Sequence, residues 1–302
     1  MAVACLGELI VDMVAEEPSP DLGGVQRFRR LPGGAPANVA VGLKHHGVLV
    51  TLISRVGKDS HGDFLIRYLQ QQGLSTVGIT RDARYRTKIA LVGRTPEGER
   101  FFEFHNLQSA DQHIKLQYIP MKAIRNANIF HFGGVALLGE TTALTTLHLL
   151  QQMRPETVVT FDPNIRLDLI PHPDKIRMRL AKILQYVQVL KCSLADYAML
   201  FSDNPPPDIP VMIITNGSQP TMLKIGKKQI TIPPPEVQVV DTTGAGDAFM
   251  AALLARLDNW IQRLPFSAIP FEQWQEWVDW ANQWGAYCVQ TVGAVACYNR
   301  QL

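Results

Sequence analysis

Along most of this chain, short runs rich in valine and isoleucine alternate with segments of helical pattern. Apolar runs at 3–14, 48–56, 128–132, 157–162, 187–192 and 211–215 read as strands. Segments 36–46, 61–72, 141–153, 174–186, 194–201, 245–257 and 271–289 read as helices. Strands that are apolar throughout are buried on both faces, and strand–helix–strand units build parallel sheets. The fold class expected is therefore α/β, with a mostly parallel central sheet flanked by helices. Sheets of this kind take ligands beyond the carboxyl ends of their strands.

Two segments break the rhythm. Residues 26–31 and 87–105 read as strands with no helix between them. In the second, 88–94 and 99–105 flank Thr95-Pro96-Glu97-Gly98, which has the composition of a hairpin turn. These segments predict a small antiparallel sheet apart from the main one, placed as a lid over the strand ends. The alternative is that they extend the edge of the main sheet.

Composition narrows the function classes. The 302 residues allow one large α/β domain or two ordinary ones. Apolar side chains make up 46%, too many for a disordered chain. Basic and acidic residues number 29 and 27, so the formal net charge is +2, without the basic excess of an electrostatic nucleic-acid binder. The four cysteines, Cys5, Cys192, Cys288 and Cys297, match no zinc spacing and read as reduced thiols of a cytoplasmic protein. The apolar stretch near the N-terminus lacks a basic flank and is interrupted by Glu8 and Asp12, so it makes a poor signal peptide. No run reaches the ~18 apolar residues of a membrane span. The proline groups around 205–210 and 233–235 mark turns or extended connections rather than domain linkers.

The most informative segment is Asp241-Thr242-Thr243-Gly244-Ala245-Gly246-Asp247, followed by an apolar helix. Small residues let a ligand approach the backbone, and the first N–H groups of a helix lack intrahelical partners. Together they suit a phosphate. A carboxylate in that first turn repels a bound phosphate unless it has a task. The evident task for Asp247 is to take the proton of a hydroxyl that attacks the phosphorus. The plainer alternative is a glycine turn with Asp247 favouring the helix dipole. Commoner motifs are absent: Gly57-Lys58 and Gly226-Lys227 run into Asp59 and Lys228 rather than Ser or Thr, and Phe249 stands where a dinucleotide fingerprint needs glycine.

A second segment, Gly33-Gly34-Ala35-Pro36-Ala37-Asn38, leads paired glycines into a helix with proline near its start. Its glycines leave room for a polyol, and Asn38 can donate and accept hydrogen bonds. The alternative is a plain helix start. Asp12, at the end of the first apolar run, can accept two sugar hydroxyls or sit in a solvated loop. Trp274, Trp277, Trp280 and Trp284 share one helical face and read as a packing stripe. His45-His46 is no metal pair, since adjacent helical residues diverge by ~100°.

With both segments in view, the chain resembles the PfkB (ribokinase-like) carbohydrate kinases over about residues 6–293. The segment 33–38 resembles that family's N-terminal signature and 241–247 its C-terminal one. Gly7-Glu8 leading to Asp12, Gly57-Lys58-Asp59 with Gly62, Gly98-Glu99-Arg100 followed by Phe104 and Asn106, Ser109-Ala110-Asp111, and Phe161-Asp162-Pro163-Asn164 with Arg166 resemble its fructokinase branch. The resemblance implies one α/β domain over 1–302 with a discontinuous lid at about 12–32 and 85–107. It implies transfer of the γ-phosphoryl of Mg-ATP to a primary hydroxyl of a small sugar, D-fructose first. 2-Keto-3-deoxygluconate, ribose, aminoimidazole riboside or a catalytically weak scaffold protein are the alternatives.

By position, the resemblance implies Asp247 as base and Gly244, Ala245 and Gly246 as N–H donors to the phosphoryl group. It implies Asp12, Gly33, Gly34, Asn38, Phe104, Asn106 and Arg166 around the sugar. Lys191, Ser193, Asp196, Thr215, Gly217 and Asn282 fall on the nucleotide side. Asp241, Thr243, Cys288, Thr291 and Gly293 fall at a potassium site. Two departures stand out: Ser193-Leu194-Ala195-Asp196 replaces the family's Asn-x-x-Glu, and Pro220 replaces a glycine. A homodimer through the lid is also implied.

Overall fold

The computed structural model describes residues 2–95, 100–105, 108–165, 173–201 and 205–299. Among these residues, nine strands form the main sheet. They are β1 (Ala2–Leu6), β4 (Val50–Gly57), β5 (Ile79–Asp82), β8 (Ala127–Gly133), β9 (Val158–Asp162), β10 (Val189–Ser193), β11 (Val211–Asn216), β12 (Gln219–Ile225) and β13 (Lys228–Ile232). Their order is β13-β12-β11-β10-β9-β8-β1-β4-β5. All neighbours from β11 through β5 are parallel, and β12 and β13 add an antiparallel hairpin at one edge.

Helices cover both faces. Val3 and Cys5 of β1 belong to one buried cluster, with α1 (Ala35–His45), α2 (Ser60–Gln71), α7 (Ala245–Ile261) and α8 (Phe271–Cys288). Ala4 and Leu6 belong to the other, with α3 (Met121–Arg125), α4 (Glu140–Gln151), α5 (Pro173–Leu184) and partly buried side chains of α6 (Leu194–Phe201). Side chains of a strand alternate between faces, so a strand buried on both must be apolar at every position. Trp274, Trp277 and Trp284 of α8 are buried, as the packing stripe predicts. All four cysteines are buried and free.

The second sheet has the order β3-β2-β6-β7, from β2 (Ile10–Ala15), β3 (Phe28–Gly33), β6 (Ile89–Arg94) and β7 (Arg100–His105). β2 pairs antiparallel with β3 and β6 with β7, while the central β2/β6 pair is parallel. The expectation of a separate small sheet holds; the turn expected at 95–98 lies largely outside the described residues. Among the described residues, Ile10, Ala90 and Val92 form its buried cluster, with Val14, Phe102 and Phe104 packed against them.

One expectation needs correction, and three strands were not expected. Residues 3–14 are two strands in different sheets. Gly7, at φ 154°, turns the chain out of β1, in a position where a Cβ would overlap the Pro36 ring. β5 is a short edge strand that carries little apolar pattern. The β12–β13 hairpin turns at Gly226, φ 57°, and its alternation runs through Thr221, Leu223, Ile225, Ile230 and Ile232. Among the described residues no helix is long and apolar enough to cross a membrane.

Candidate active site

Helix α7 is capped at its N-terminus by Gly244, which adopts a left-handed φ of 80°. Only glycine fits, because a Cβ there would stand 2.6 Å from the Ala294 methyl group. Ala245 and Gly246 therefore open the helix against the segment that follows α8. The two segments are tied through Asp241. Its Oδ1 accepts from the Thr243 N–H (2.9 Å) and hydroxyl (2.8 Å), and its Oδ2 from the Gly293 N–H (2.8 Å). Val240 and Asp241 donate N–H groups to the Val289 carbonyl (2.8 and 3.0 Å). The Cys288 thiol donates to Thr243 O (3.5 Å), and the Thr291 hydroxyl to Cys288 O (3.1 Å). The five residues expected at the cation position are thus one connected loop cluster, rich in oxygen atoms.

Asp247 sits in the first turn of α7 with 8% of its surface exposed. Its Oδ2 accepts from Asn38 Nδ2 at 2.8 Å. Two residues 209 positions apart in sequence thereby meet, and the two signature segments become one site. Burial pushes the Asp247 carboxyl up to about 6, the bond from Asn38 opposes that rise, Asp162 adds to it and Lys191 opposes it. A carboxylate poised near 6 can accept a proton near neutral pH and release it again.

Beneath this turn lies a buried ion pair. Lys191 Nζ on β10 donates to Asp162 Oδ2 at the end of β9 at 2.8 Å, and both side chains are almost fully buried. A Cβ on Gly246 would stand 2.6 Å from that ammonium, so the Lys191 charge abuts the glycine turn. His131, on the neighbouring β8, shares a hydrogen bond with Thr160 at 3.0 Å. Burial, with the nearby Lys191 charge, lowers its pKa to about 3, so it is neutral.

On the other side, Asp12 in β2 lies against Gly33 of β3, where any Cβ would overlap the Asp12 carboxylate. Gly34, at φ 105°, packs on the Glu8 carbonyl. Phe104 of β7 pairs with Ala90 of β6 and packs on the small sheet's buried cluster. Asp12, Gly33 and Phe104 come from the small sheet, Gly34 and Asn38 from the start of α1, and Asp247 from the first turn of α7. Asn106 and Arg166 lie outside the described residues.

The nucleotide-side expectations divide. Lys191 is at the site. The Ser193 hydroxyl donates to Asp196 Oδ2 (2.7 Å) and accepts from the Asp196 N–H (3.0 Å), a capping box at the start of α6. Asp196 is thereby held on its own helix. The Thr215 hydroxyl donates to the Cys192 carbonyl at 3.3 Å. Gly217, at φ 58°, faces open space. Asn282 accepts from the Thr221 hydroxyl (2.8 Å) and donates to the Ile232 carbonyl (3.2 Å), tying α8 to the β12–β13 hairpin. Sequence reasoning assigned no role to Asp162, Glu8 or Lys88; the first two lay in segments quoted only for their resemblance.

The comparisons with known proteins agree with this geometry. The pfkB family carbohydrate kinase family matches residues 2–301. "Probable fructokinase-6, chloroplastic" of Arabidopsis thaliana is 31% identical over 97% of this chain and 78% of its own. A crystal structure of an uncharacterized sugar kinase from Pyrococcus horikoshii in complex with ATP superimposes with a TM-score of 0.87. It has 30% identity, over 97% of this chain and 94% of that one. A fructokinase double mutant from Vibrio cholerae O395 in fructose-, ADP- and potassium-bound form gives 0.83, at 26% identity over 99% and 95% of the two chains. A match along the whole chain, on the ribokinase-like fold and with both signature segments meeting at Asn38 and Asp247, leaves one conclusion: the chain belongs to the pfkB family of carbohydrate kinases and is a sugar phosphotransferase of its fructokinase branch.

Proposed function

We propose that this kinase transfers the γ-phosphoryl of Mg-ATP to the 6-hydroxyl of D-fructose, giving fructose 6-phosphate. The observation that carries the reading is the buried Asp247–Asn38 contact at the N-terminus of α7. Asp247 takes the proton of the attacking hydroxyl as the new O–P bond forms and ADP leaves. Asn38 orients the carboxylate and reaches the sugar together with Asp12 and the Gly33–Gly34 backbone. The N–H groups of Gly244, Ala245 and Gly246 meet the charge that spreads over the phosphoryl oxygens, and the Lys191 ammonium adds positive potential behind them.

The small sheet acts as a lid, carrying Phe104 over the sugar and excluding water. A second copy of the chain covers the free edges of this lid in a homodimer.

The choice of a neutral sugar rests on charge. The described groups around the sugar position include the carboxylates Asp12 and Asp247, while Lys88 is neutralised by Asp111 at 3.0 Å. A sugar acid such as 2-keto-3-deoxygluconate would meet repulsion from these two carboxylates and would need cations such as Arg86, Arg100 or Arg166 to offset it. The relatives named as fructokinases, one of them binding fructose, support the same choice.

The donor sets fit the expected cations. Oxygens of Asp241, Thr243 and the 289–293 segment suit potassium, which would order the loop before α7. Among the described residues no three His, Cys, Asp or Glu converge as a metal cage. Magnesium needs few protein ligands when it rides on nucleotide phosphates, and Asp196, bonded to the Ser193 hydroxyl at 2.7 Å, is the carboxylate that would meet it through water. When bound, it neutralises the charge that develops on the phosphates.

A panel of fructose, ribose, aminoimidazole riboside and 2-keto-3-deoxygluconate in a coupled ADP-release assay tests the reading. Fructose is expected to give the highest kcat/KM. A sugar acid as the preferred substrate would refute the charge argument, and no turnover with any sugar would favour the scaffold alternative.

A further inference from the structure

We propose that Glu8 is a positioning residue of the sugar subsite: its buried carboxylate fixes the glycine turn before α1 and the root of the small sheet in one arrangement. The proposal rests on the sugar-side reading given above. Glu8 follows the Gly7 turn, at the point where the chain passes from the main sheet to the small one, and it is 1% exposed.

The N-cap of α1 is Gly34, which has no side chain to accept the orphan N–H groups of the first turn. Glu8 supplies what is missing. Its Oε1 accepts from the Ala35 N–H at 3.1 Å, and its Oε2 from the Ala136 N–H at 3.2 Å, just past the end of β8. The Glu8 carbonyl forms the floor under Gly34. One residue therefore sets the height and direction of the segment that presents Gly33, Gly34 and Asn38.

The charged groups facing Glu8 extend this control to the second root of the small sheet. Lys88, just before β6, forms a buried ion pair with Asp111, and the Ser109 hydroxyl also donates to Asp111. The Lys88 carbonyl accepts from the Val11 N–H of β2 at 3.1 Å, and its ammonium lies 6.0 Å from the Phe104 ring centre. Burial pushes the Glu8 carboxyl up to about 7; Asp111 adds to the rise and Lys88 opposes it. When protonated, Glu8 carries an O–H in place of one acceptor and leaves one of its two N–H partners poorly met.

Only a carboxylate accepts from both N–H groups with separate oxygens. Glu8→Gln keeps the shape and sets an NH2 against one of them. With the sugar that the wild type phosphorylates, the variant is expected to raise the sugar KM at least ~10-fold, on the scale of a lost buried hydrogen bond to a charged group. kcat should stay within about 3-fold and the ATP KM within about 2-fold of wild type. The sugar Kd of the wild type should weaken as pH falls, with a midpoint near 7, and that of Glu8→Gln should not depend on pH around 7.

An unaltered sugar KM overturns the proposal. So does an equal loss in kcat and both KM values, which marks a merely structural role. If Glu8→Gln does not fold, the wild-type titration decides: a sugar Kd that does not weaken as pH falls overturns it. Asn38→Ala, measured beside it, reports on the subsite. A normal sugar KM in Asn38→Ala refutes the subsite itself, whereas a raised KM there with a normal Glu8→Gln refutes only the role of Glu8.

Discussion

Replacing Asp162 with asparagine tests the electrostatics of the site without touching the reacting atoms. In the wild type, burial and the Asp162 charge both raise the Asp247 carboxyl, and Lys191 opposes them, with the balance at about 6. Asp162→Asn removes the repelling carboxylate and frees the Lys191 charge to act on Asp247. Both changes favour ionised Asp247, so the midpoint must move down. Charges near a carboxylate shift it by about 1–3 units, and one unit is the conservative expectation. At pH 5 a base with a midpoint of 6 is ~9% ionised and one with a midpoint of 5 is ~50% ionised. The rate at pH 5, relative to its own plateau, should therefore rise ~5-fold. The assay is kcat/KM from pH 4.5 to 8, which reports the groups of the free enzyme, measured side by side for wild type and Asp162→Asn. The asparagine oxygen can still accept from Lys191, so any loss of stability shows in Tm and not in the midpoint. A midpoint that stays near 6 or moves upward would refute the argument.

Two further outcomes follow from the same site. Gly244→Ala is expected to lower Tm and to cut kcat more than ~10-fold, because a Cβ at φ 80° would strain the backbone and press on Ala294; normal kinetics in that variant would show that the turn has space to spare. Potassium is expected to activate the wild type over sodium or choline, and Asp241→Asn to abolish that difference, which equal rates in all three salts would contradict.

Much of the fold could be read from the sequence, because strands buried on both faces leave an unbroken apolar run in each repeat unit. The same rule hid the break at Gly7. Residues 3–14 are apolar on both sides of the turn, and nothing in the alternation tells that β1 and β2 belong to different sheets. The β12–β13 hairpin had a visible pattern around Gly226, masked by polar residues at its exposed positions. The place of Asp247 in the first turn of α7 was legible because paired glycines before an apolar helical run mark a helix start.

Glu8, Lys88 and Asp111 were not legible in that way. Their meaning lies in contacts between distant segments: Glu8 with Ala35 and with Ala136, 128 residues away, and Lys88 with Asp111. Asp196 and Asn282 show the converse. A position taken from family resemblance carries no information on hydrogen bonding, and here Ser193 and Thr221 are their partners.

We propose Asp247 as a catalytic base that is kept buried at a cost to the fold. Its carboxyl is raised from an ordinary ~3.9 to about 6, so the stability present below pH ~4 is lost as pH rises through about 6. Two units correspond to ~3 kcal/mol at pH 8. The most direct measurement is Asp247→Asn at pH 8, with kcat, sugar Kd and Tm taken on one preparation. The account predicts that kcat falls at least ~100-fold, that sugar Kd stays within about 3-fold, and that Tm rises. Turnover within 10-fold of wild type by a variant that still binds sugar, or a lower Tm at pH 8, would contradict it.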